Sequence, residues 1–556
     1  MKKIISLLVF STSVFSAWAQ LNNTVEVTNE VKPVTTDVKK VDVKTQPAET
    51  KVKHYTMQYD VSGKTLSNYA PESLGDYESE AVWKGRKNGY LHLAGGVQGM
   101  LDGQAAYQLG LTDKDVLGFD LSLKGFNGHA KDNGFYDVRG WKSRDYTNRV
   151  ALKYNHHFDQ GVDFFMKGSF ENRVFNYMGG NLGTTDKQHD VLSSFVAGFT
   201  PLKNGNFSVD ATAGLDFFNQ NYLTNFEKKL GETLIHADAN GAYQFTDEHS
   251  VGLGVGFIHS AYGNDELKGI TRFRFTPHYL YETEQMNVRL GLFVSTKGNV
   301  APDASFTYHL TPKSDVYVEA LGYEDNNDFR RMSAFHPAFA LPGYISPDKS
   351  GVIKMGAEFH QLDACVGYRF KGMNGLGGDI HVGYDFSKDS YDVDGMFNAL
   401  GGRYLAWMAA GKNRRFYMDA DFTYAYADIV KVEARNQLNL ESGKNSGDEK
   451  WVSGSYTSPV FEMDWKADVK IVKDFYFGLD WRYATFHMGD LGLEEGTQYD
   501  RPDIINLGAS LRYTLPIKQP LTVFLKGDNL LNQKYDRYLG YRNVGATFLG
   551  GFALSF

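Results

Sequence analysis

The closing stretch of the chain, Thr547-Phe-Leu-Gly-Gly-Phe-Ala-Leu-Ser-Phe556, sorts its side chains into two alternating sets. The large apolar set is Phe548, Phe552, Leu554 and Phe556, and the small or polar set is Thr547, Gly551, Ala553 and Ser555. A two-residue period is that of a β-strand, because successive side chains point to opposite faces. An apolar face toward lipid and a polar face toward the inside are typical of transmembrane barrel strands. The stretch therefore predicts an all-β fold, a transmembrane antiparallel β-barrel.

The same alternation recurs in residues 162–170, 461–471, 475–483 and 505–513. The charged set must face the lumen, because a basic residue that faces lipid at mid-depth costs about 2–4 kcal/mol. Phe165 and Phe524 are apolar exceptions on the lumenal set. The charged residues predicted to face the lumen are Glu462, Asp464, Lys466, Asp468, Lys470, Asp480, Arg482 and Arg512.

Short turns and longer links alternate along residues 87–556, as periplasmic turns and extracellular loops do in such barrels. Lys473-Asp474 and Lys412-Asn413 are two of the predicted short turns, and 329–353 and 437–459 are two of the predicted long links. Turn-forming residues dominate the short connections. The pattern predicts about 22 strands, with short periplasmic turns and long extracellular loops.

The opposite end of the chain predicts export. Met1-Lys-Lys is followed by a short apolar run and then by Ala17-Trp18-Ala19, a small-x-small cleavage site, so residues 1–19 are expected to be a signal peptide. The alternative, a transmembrane N-terminus, requires about 20 apolar residues, which is more than this run offers. Residues 20–86 have few aromatics and no clear period, and are expected to form an extended or disordered periplasmic or lumenal segment.

The single cysteine, Cys365, excludes an internal disulfide.

Composition excludes several other functions. The 58 Gly, 34 Tyr and 39 Phe suit barrel strands, and a net charge of −8 without a basic stripe argues against nucleic-acid binding. The strict alternation argues against the alternative of a soluble sandwich or propeller, whose apolar faces turn inward. His156 and His157 are adjacent on a strand and point to opposite faces, so they cannot chelate one metal well. We expect no catalytic residue, no metal site and no cofactor.

Two sets of loop residues leave binding roles open. Carboxylates and amides at loop positions could hold calcium, or could simply be solvated. Loop aromatics could bind a glycan or a protein, or could pack loop on loop. The first set is Asp190, Asp325, Asn326, Asn327 and Asp328, and the second is Phe335, Phe339, Tyr344, Trp451 and Tyr456.

The stretch Gly527-Asp-Asn-Leu-Leu-Asn-Gln-Lys-Tyr535 resembles the C-terminal motif of TonB-dependent receptors. The matching residues are Asn529, Leu530, Leu531, Asn532 and Tyr535. Phe552, Leu554 and Phe556 resemble the signal that the barrel-assembly machinery reads. The resemblance covers the barrel only, and Tyr541 departs from the family's usual Gly-Arg at the end of the final loop.

Members of that family carry a folded plug of more than a hundred residues before the barrel, and residues 20–86 lack a plug's texture. The chain therefore resembles a plugless relative, of a kind associated with Bacteroidota. Its residues Thr24, Val25, Glu26, Val27 and Thr28 are loosely similar to a TonB box, which pairs with a periplasmic partner by β-addition. An ordinary disordered lead is the alternative interpretation.

A barrel of this size normally has a plugged lumen. Residues 20–86, inward-folded loops or a partner protein could fill it, and we favour the first, helped by the second. The function expected from the resemblance is a channel or uptake component of the cell outer membrane, gated by its N-terminal segment or by a partner. One alternative is a non-transporting barrel subunit or scaffold of a larger outer-membrane complex, and a second is a TonB-driven transporter. The expected partners are outer-membrane lipid, the assembly machinery and a periplasmic or outer-membrane protein.

Overall fold

The computed structural model describes most of the predicted barrel. The described residues are 88–130, 142–159, 161–176, 178–179, 187–220, 230–263, 267–340, 353–354, 356–373, 375–399, 403–445, 450–455, 457–486, 501–539 and 541–556. The predictions for the signal peptide, for Thr24–Thr28 and for the 20–86 segment lie outside these residues.

Twenty-two antiparallel strands form the wall, in agreement with the sequence-based count. They are β1 Gly89–Gly96, β2 Leu101–Gly110, β3 Asp115–His129, β4 Lys142–His157, β5 Asp163–Asn176, β6 Lys187–Asn204, β7 Phe207–Gln220, β8 Leu230–Gln244, β9 His249–Tyr262, β10 Ile270–Glu282, β11 Met286–Ser295, β12 Val300–Thr311, β13 Ser314–Asn326, β14 Ala357–Met373, β15 Leu376–Ala399, β16 Arg403–Tyr426, β17 Val430–Asn445, β18 Phe461–Val472, β19 Phe475–Thr485, β20 Ile504–Leu515, β21 Leu521–Asp528 and β22 Thr547–Ser555.

The wall closes where β1 pairs antiparallel with β22, Tyr90 opposite Ser555 and Leu93 opposite Phe552. The Gly89 N–H donates to the Phe556 carbonyl over 2.9 Å, and the Phe556 N–H donates back over 3.0 Å. Closure removes the unpaired strand edges that would otherwise recruit other chains. Both ends of the described barrel therefore meet at the rim that carries the short turns.

Alternation sets the two faces of the wall as the sequence predicts. In β22, Phe548 and Phe552 are exposed, whereas Thr547, Ala553 and Ser555 are buried. Exposed large apolar side chains recur around the barrel, because lipid rather than water covers that face. They include Leu121, Leu152, Phe170, Phe195, Ile235, Leu253, Leu290, Val318, Val366, Phe416, Leu440, Leu479, Leu511 and Leu525.

One predicted turn is wrong. Lys412 and Asn413 lie inside β16, where Asn413 pairs with Ser387 of β15, and the real turn follows Tyr426. Strands β15 and β16 have 24 residues each, whereas the other wall strands have 8 to 18. Such a long hairpin continues past its neighbours, and Asn413 is buried within it, where its side-chain amide donates to Glu441 of β17. Residue type alone therefore misplaced the turn, and the predicted 437–459 link is likewise strand up to Asn445.

The long connection after β13 contains a helix, α1, Phe329–Phe335. Asp328 precedes it as N-cap, and its carboxylate accepts the Arg331 N–H over 2.7 Å, which satisfies one of the free amides of the first turn. Phe329, Met332, Ser333 and Phe335 are buried. Among the described residues, no helix is long and apolar enough to cross a membrane.

The connections between wall strands contain several short strands of two or three residues. Met178–Gly179 and Phe339–Ala340 each pair with β16, and Val452–Ser453 pairs with β17. Leu267–Lys268 pairs parallel with Ile353–Lys354, and Asp536–Tyr538 pairs with Tyr541–Arg542.

Candidate functional site

The long connections lie at the rim opposite the short turns, which is the extracellular rim of an outer-membrane barrel. Two of them fold inward. We call residues 327–340, which contain α1, the lid segment, and residues 529–546 the final connection. Their contacts with the wall define the candidate site.

The apolar face of the lid segment packs on the wall at β7 and β9. The Phe329 side chain is fully buried, and its ring lies 6.3 Å from Phe218 of β7 and 5.3 Å from Tyr262 of β9. Phe339, also fully buried, closes the cluster with its ring 6.0 Å from Phe329. The lid segment is therefore held by a small hydrophobic core of its own, at the loop end of the barrel.

Polar side chains of the same wall satisfy the backbone and hydroxyl groups that the lid segment buries. The Glu232 carboxylate of β8 accepts the Phe329 N–H over 2.8 Å, and Ser333 Oγ donates to Asp190 of β6 over 2.7 Å. Gln220 Nε2 of β7 donates to the Pro337 carbonyl over 3.1 Å. Unpaired buried polar groups are costly, so these bonds fix the orientation of the segment as well as its position.

The other side of the lid segment is joined to β14 and β15 by a buried ion pair. Arg331 Nη2 donates to Glu358 Oε2, and Glu358, which is completely buried, also accepts the Ser387 hydroxyl over 2.7 Å. Arg331 Nη1 donates to Asn327 Oδ1 over 3.2 Å. The lid segment thus contacts β6–β9 through one side and β14 through the other.

Backbone pairing also crosses the barrel. Met178–Gly179, which follows β5, pairs antiparallel with Tyr404 and Arg403 of β16. Strands β5 and β16 are eleven positions apart in a wall of twenty-two, so this pairing joins opposite sides. Phe339–Ala340 of the lid segment pairs parallel with Ala406–Trp407 of the same strand.

The final connection lies against β4, β5 and the lid segment. Arg537 forms an ion pair with Asp145 of β4 over 3.1 Å, and the Tyr541 hydroxyl donates to the Asn176 carbonyl of β5 over 2.9 Å. His336 Nε2 bonds the Leu539 carbonyl over 3.0 Å. His336 therefore joins the two inward-folded connections.

His336 is neutral in this position. It is completely buried, its Nε2–H donates to Leu539, and its Nδ1 accepts the Ala338 N–H over 3.1 Å. Burial lowers its pKa from 6.5 to about 3, and the positive charges of Arg173 and Arg501 act in the same direction.

The contribution of His336 to docking of the lid segment should therefore fall in acid. The released imidazole binds a proton below pH 6.5 and the docked one does not, so this contribution is largest above pH 6.5 and decreases as the pH falls. One pKa unit corresponds to 1.36 kcal/mol, so the loss at pH 5 is about 2 kcal/mol. Hydrogen exchange of residues 329–340 between pH 8 and pH 5 measures it. His336→Gln keeps neutral hydrogen-bonding groups and should remove this contribution, so protection in the variant should fall less between pH 8 and pH 5 than in the unchanged protein. An equal fall in both proteins would assign the effect to another group.

The receptor-type motif forms the turn that starts the final connection. Asn529 and Asn532 have φ of +49° and +52°, a left-handed conformation that asparagine tolerates better than most residues. Asn529 Nδ2 donates to the Gln533 carbonyl, and the Gln533 N–H donates back to Asn529 Oδ1, both over 2.9 Å. Leu530 donates its N–H to Leu507 of β20, and Tyr535 is buried against Ala484, Phe486 and Ile504.

Asn529→Ala should lower the thermal stability of the folded barrel. It removes two buried hydrogen bonds and leaves a β-carbon in the left-handed region, at a combined cost of about 2–4 kcal/mol. Asn529→Gly loses the same bonds without the backbone strain, so it should cost less. Thermal unfolding in detergent, followed by the loss of heat-resistant gel mobility, compares the two; equal losses would show that the backbone conformation is unimportant.

The eight charged residues predicted to face the lumen lie on one face of the wall, opposite the exposed Leu479 and Leu511. Arg482 pairs with Glu462 over 2.5 Å, and Arg512 pairs with Asp468. These pairs cross between strands, which stabilises their relative positions.

The predicted histidine pair splits, as its spacing required: His156 Nδ1 lies 2.6 Å from Asp115 and His157 Nδ1 lies 2.5 Å from Asp163. Of the described residues, no group of His, Cys, Asp or Glu side chains is arranged to hold a metal ion. Asp190 accepts the Ser333 hydroxyl of the lid segment, and Asp328 caps the helix within that segment. Phe335 and Phe339 are buried in it, which favours the loop-packing interpretation.

Sequence reasoning missed Arg331, Ser333, Glu232 and Glu358. Asp328 followed by Phe329, Met332 and Phe335 is a readable signal for a capped amphipathic turn. The wall partners carry no comparable signal, because each looks like one more polar residue on an alternating strand.

No known family model matches the sequence, and no curated protein does. Solved structures match over most of the chain. The FrpB iron transporter from Neisseria meningitidis superposes with a TM-score of 0.65 at 10% identity, covering 86% of this chain and 82% of that one. The siderophore receptor PirA from Acinetobacter baumannii gives 0.59 at 11%, covering 84% and 80%. The ferric-catecholate import receptor Fiu from E. coli K12 gives 0.57 at 13%, covering 84% and 82%.

The fold is therefore that of the 22-stranded outer-membrane barrel of TonB-dependent receptors. The printed names of these neighbours describe an iron transporter, a siderophore receptor and an import receptor. At such low identity the likeness establishes the architecture, and cargo and energy source have to be argued from this chain's own residues.

Proposed function

We propose that this chain is a gated uptake component of the outer membrane, a barrel of TonB-dependent receptor type without a folded plug. The observation that carries the proposal is the double attachment of the lid segment, which contacts β6–β9 and β14 together while Met178–Gly179 joins β5 to β16. A permanently open pore would have no use for inward-folded connections fixed to opposite walls.

The attachments are of a kind that can be reversed. The lid segment has one helix of seven residues, one small apolar cluster, one ion pair to β14, three hydrogen bonds to β6–β8 and a two-residue pairing with β16. Locally opening segments are drawn from parts of a protein with few such contacts. An extracellular ligand that binds the lid segment in its released form would shift the population toward an open mouth.

The periplasmic side needs a second closure in this proposal. Residues 20–86, which the sequence places directly before β1, or a partner protein supply it. Opposite charges on that segment and on the lumenal rows support the first choice.

A reversible cross-link tests the gate. In a Cys365→Ser background, Met178→Cys and Tyr404→Cys occupy directly opposed backbone positions of the cross-barrel pairing. Opposed antiparallel residues have β-carbons about 4.5–5.5 Å apart, close enough for a disulfide after a small adjustment. Single-channel conductance in planar bilayers is then recorded with and without deletion of residues 21–85, in oxidised and reduced protein.

We expect the deleted protein to show gated openings when reduced and to stay closed when oxidised. A Met178→Ser, Tyr404→Ser pair is the matched control and should be insensitive to redox conditions. Openings that persist unchanged in the oxidised protein would show that the cross-barrel pairing does not gate the pore.

A scaffold function is the second candidate, favoured by the buried Arg331–Glu358 pair, which suits a lid that never opens. Reduced protein that stays closed after the deletion, together with a stoichiometric partner on purification, would support it. TonB-driven transport is another form of the uptake proposal, and it depends on residues Thr24–Thr28. Proline at position 26 would block strand pairing with a periplasmic partner. Glu26→Pro should therefore abolish uptake if transport is driven by TonB.

A further inference from the structure

Three neighbouring strands carry a row of lysines on the outer face of the wall. Lys412 of β16 lies directly opposite Lys388 of β15 on one side and Lys444 of β17 on the other. Residues an even number of positions apart share a face of a strand, and Phe416 is 45% exposed on the lipid side whereas Arg415 is buried. Neighbouring strands are about 4.8 Å apart, so the row is about 10 Å wide.

The row lies at the upper edge of the apolar band. The outward side chains of β16 are apolar or aromatic from Tyr426, at the periplasmic end, to Phe416, ten residues along the strand. At about 3.3 Å per residue and a tilt of about 40°, this distance rises about 25 Å, which is the height of the apolar band of such barrels. The next two outward positions are Arg414 and Lys412.

The two neighbouring strands change character at the same level. In β15 the outward Phe386 is followed by Lys388, and in β17 the outward Leu440 is followed by Ser442 and then Lys444. Basic side chains therefore begin on all three strands where the hydrocarbon layer ends, at the boundary nearer the long connections.

The wall leaves this positive charge without a carboxylate. Like charges directly opposite one another destabilise a sheet, so the arrangement favours a compensating anion. Within the part of the chain that the structure describes, Lys388, Lys412 and Arg414 have no ion-pair partner. Asp389 follows Lys388 in the sequence and is exposed, but the two make no ion pair in the described structure.

Cations on the inner face of the same strands are placed differently. Arg415 Nη2 lies 3.8 Å from Asp385 Oδ2, and Arg435 Nε lies 3.8 Å from Asp421 Oδ1. The sheet thus supplies carboxylates to cations that face inward, and the outward row is left to an anion from outside the chain.

Trp451 adds a second mark of the membrane boundary. The Arg414 guanidinium carbon lies 4.4 Å from the centre of the Trp451 ring. Stacking of this kind leaves the N–H groups at the guanidinium edge available to an anion. Tryptophan is favoured at membrane–water interfaces, which agrees with the height of the row above the apolar band.

We propose that Lys388, Lys412 and Arg414, with Lys444 at the end of the row, bind the phosphate groups of a lipid headgroup in the outer leaflet. Basic clusters beside a membrane-spanning segment attract anionic headgroups, and guanidinium groups bind phosphate through two parallel hydrogen bonds. The exposed Phe416 and the residues level with it lie directly below, where the acyl chains of the same lipid pack. The combination of phosphate-binding groups and an apolar surface beneath them suits a lipid better than a soluble anion.

Binding of a defined lipid tests the site. Full-length protein in detergent is mixed with diphosphoryl lipid A or with the same lipid after removal of both phosphates, and native mass spectrometry measures the bound fraction. Lys412→Gln with Arg414→Gln should weaken binding of the diphosphoryl form about thirtyfold, because each basic residue near an anionic surface contributes about fivefold. The dephosphorylated form should bind both proteins equally weakly.

Two further variants are controls. Lys473→Gln with Lys518→Gln removes the same charge from exposed positions in two periplasmic turns and should leave binding unchanged. Lys412→Arg with Arg414→Lys keeps the charge and should bind within about threefold of the unchanged protein. Equal binding of the diphosphoryl form by the unchanged protein and the glutamine variant would overturn the proposal. Complete displacement of the lipid by inorganic pyrophosphate would also overturn it, because the site would then belong to a soluble anion.

Thermal unfolding gives a second readout, and its sign depends on the lipid. Without phosphorylated lipid, Lys412→Gln relieves repulsion from Lys388 and should raise the midpoint. With saturating diphosphoryl lipid A, the unchanged protein gains more from binding, so the order should reverse. A midpoint lowered by Lys412→Gln in both conditions would show a structural role instead. Neither measurement requires the pore to open, so failure here is distinguishable from failure of the conductance test.

Discussion

Replacement of Arg331 by alanine should release the lid segment from β14. Glu358 is completely buried, and without Arg331 its carboxylate keeps the Ser387 hydroxyl and His360, whose Nε2 lies 3.6 Å from Glu358 Oε1, but loses its only guanidinium partner in the described structure. Breaking a buried pair by removing one partner costs about 3–5 kcal/mol, mostly through the uncompensated charge that remains. The lid segment keeps its bonds to Glu232, Asp190 and Gln220 and its pairing with β16, so the open probability should rise without the segment being fully released.

The measurement is single-channel conductance of Arg331→Ala in the deletion lacking residues 21–85, with open probability as the readout. Arg331→Met with Glu358→Gln removes both charges and should stay closed more often than the single variant, because no buried charge is left unpaired. Arg330→Ala, one residue away and exposed, should leave the lid closed. A single variant no more open than the double variant would show that the ion pair does not hold the lid.

Replacement of Phe329 by alanine should have a comparable effect through packing. The ring is completely buried among Phe218, Tyr262 and Phe339, and truncating such a residue costs about 3–5 kcal/mol. The backbone bond from Phe329 to Glu232 survives the change, so the loss reports the apolar contact alone.

Open probability should rise by about a hundredfold or more, since each 1.4 kcal/mol is a factor of ten. Phe195→Ala is the matched control, because Phe195 is 57% exposed on the lipid face and touches no lid residue. Hydrogen exchange at residues 329–335 gives an independent readout. Protection that persists in Phe329→Ala would mean that the polar bonds alone keep the lid docked.

The wall could be predicted from sequence because lipid on one side and a polar interior on the other impose a strict alternation. Residues 461–471 and 475–483 show it clearly, and β18 and β19 follow those bounds within two residues. The predicted number of strands, about 22, agrees with the structure for the same reason. Lys412-Asn413 shows the limit of the rule: Asn413 is buried in β16 and donates to Glu441, and residue type alone does not distinguish such a polar strand position from a turn.

The lid could not be predicted in the same way. Its contacts join residues far apart in the chain, such as Ser333 with Asp190 and His336 with Leu539, and no local period encodes them. The sequence marks Asp328 as a loop carboxylate, but its role as N-cap depends on the helix that follows. The sequence predicts inward-folded loops only as one way to fill the lumen. It does not predict which residues hold those loops in place.

The pairing of Met178–Gly179 with β16 has a mechanical consequence. Met178–Gly179 follows the loop end of β5 and Arg403–Tyr404 begin β16, so the pairing links two strands that are eleven positions apart in the ring of wall strands. A chord between opposite sides fixes one diameter, so the ring cannot flatten along that axis while the chord is in place. Breaking the chord frees the ring to change its outline in the bilayer, and we therefore expect the opening of the mouth to respond to lateral pressure from the surrounding lipid.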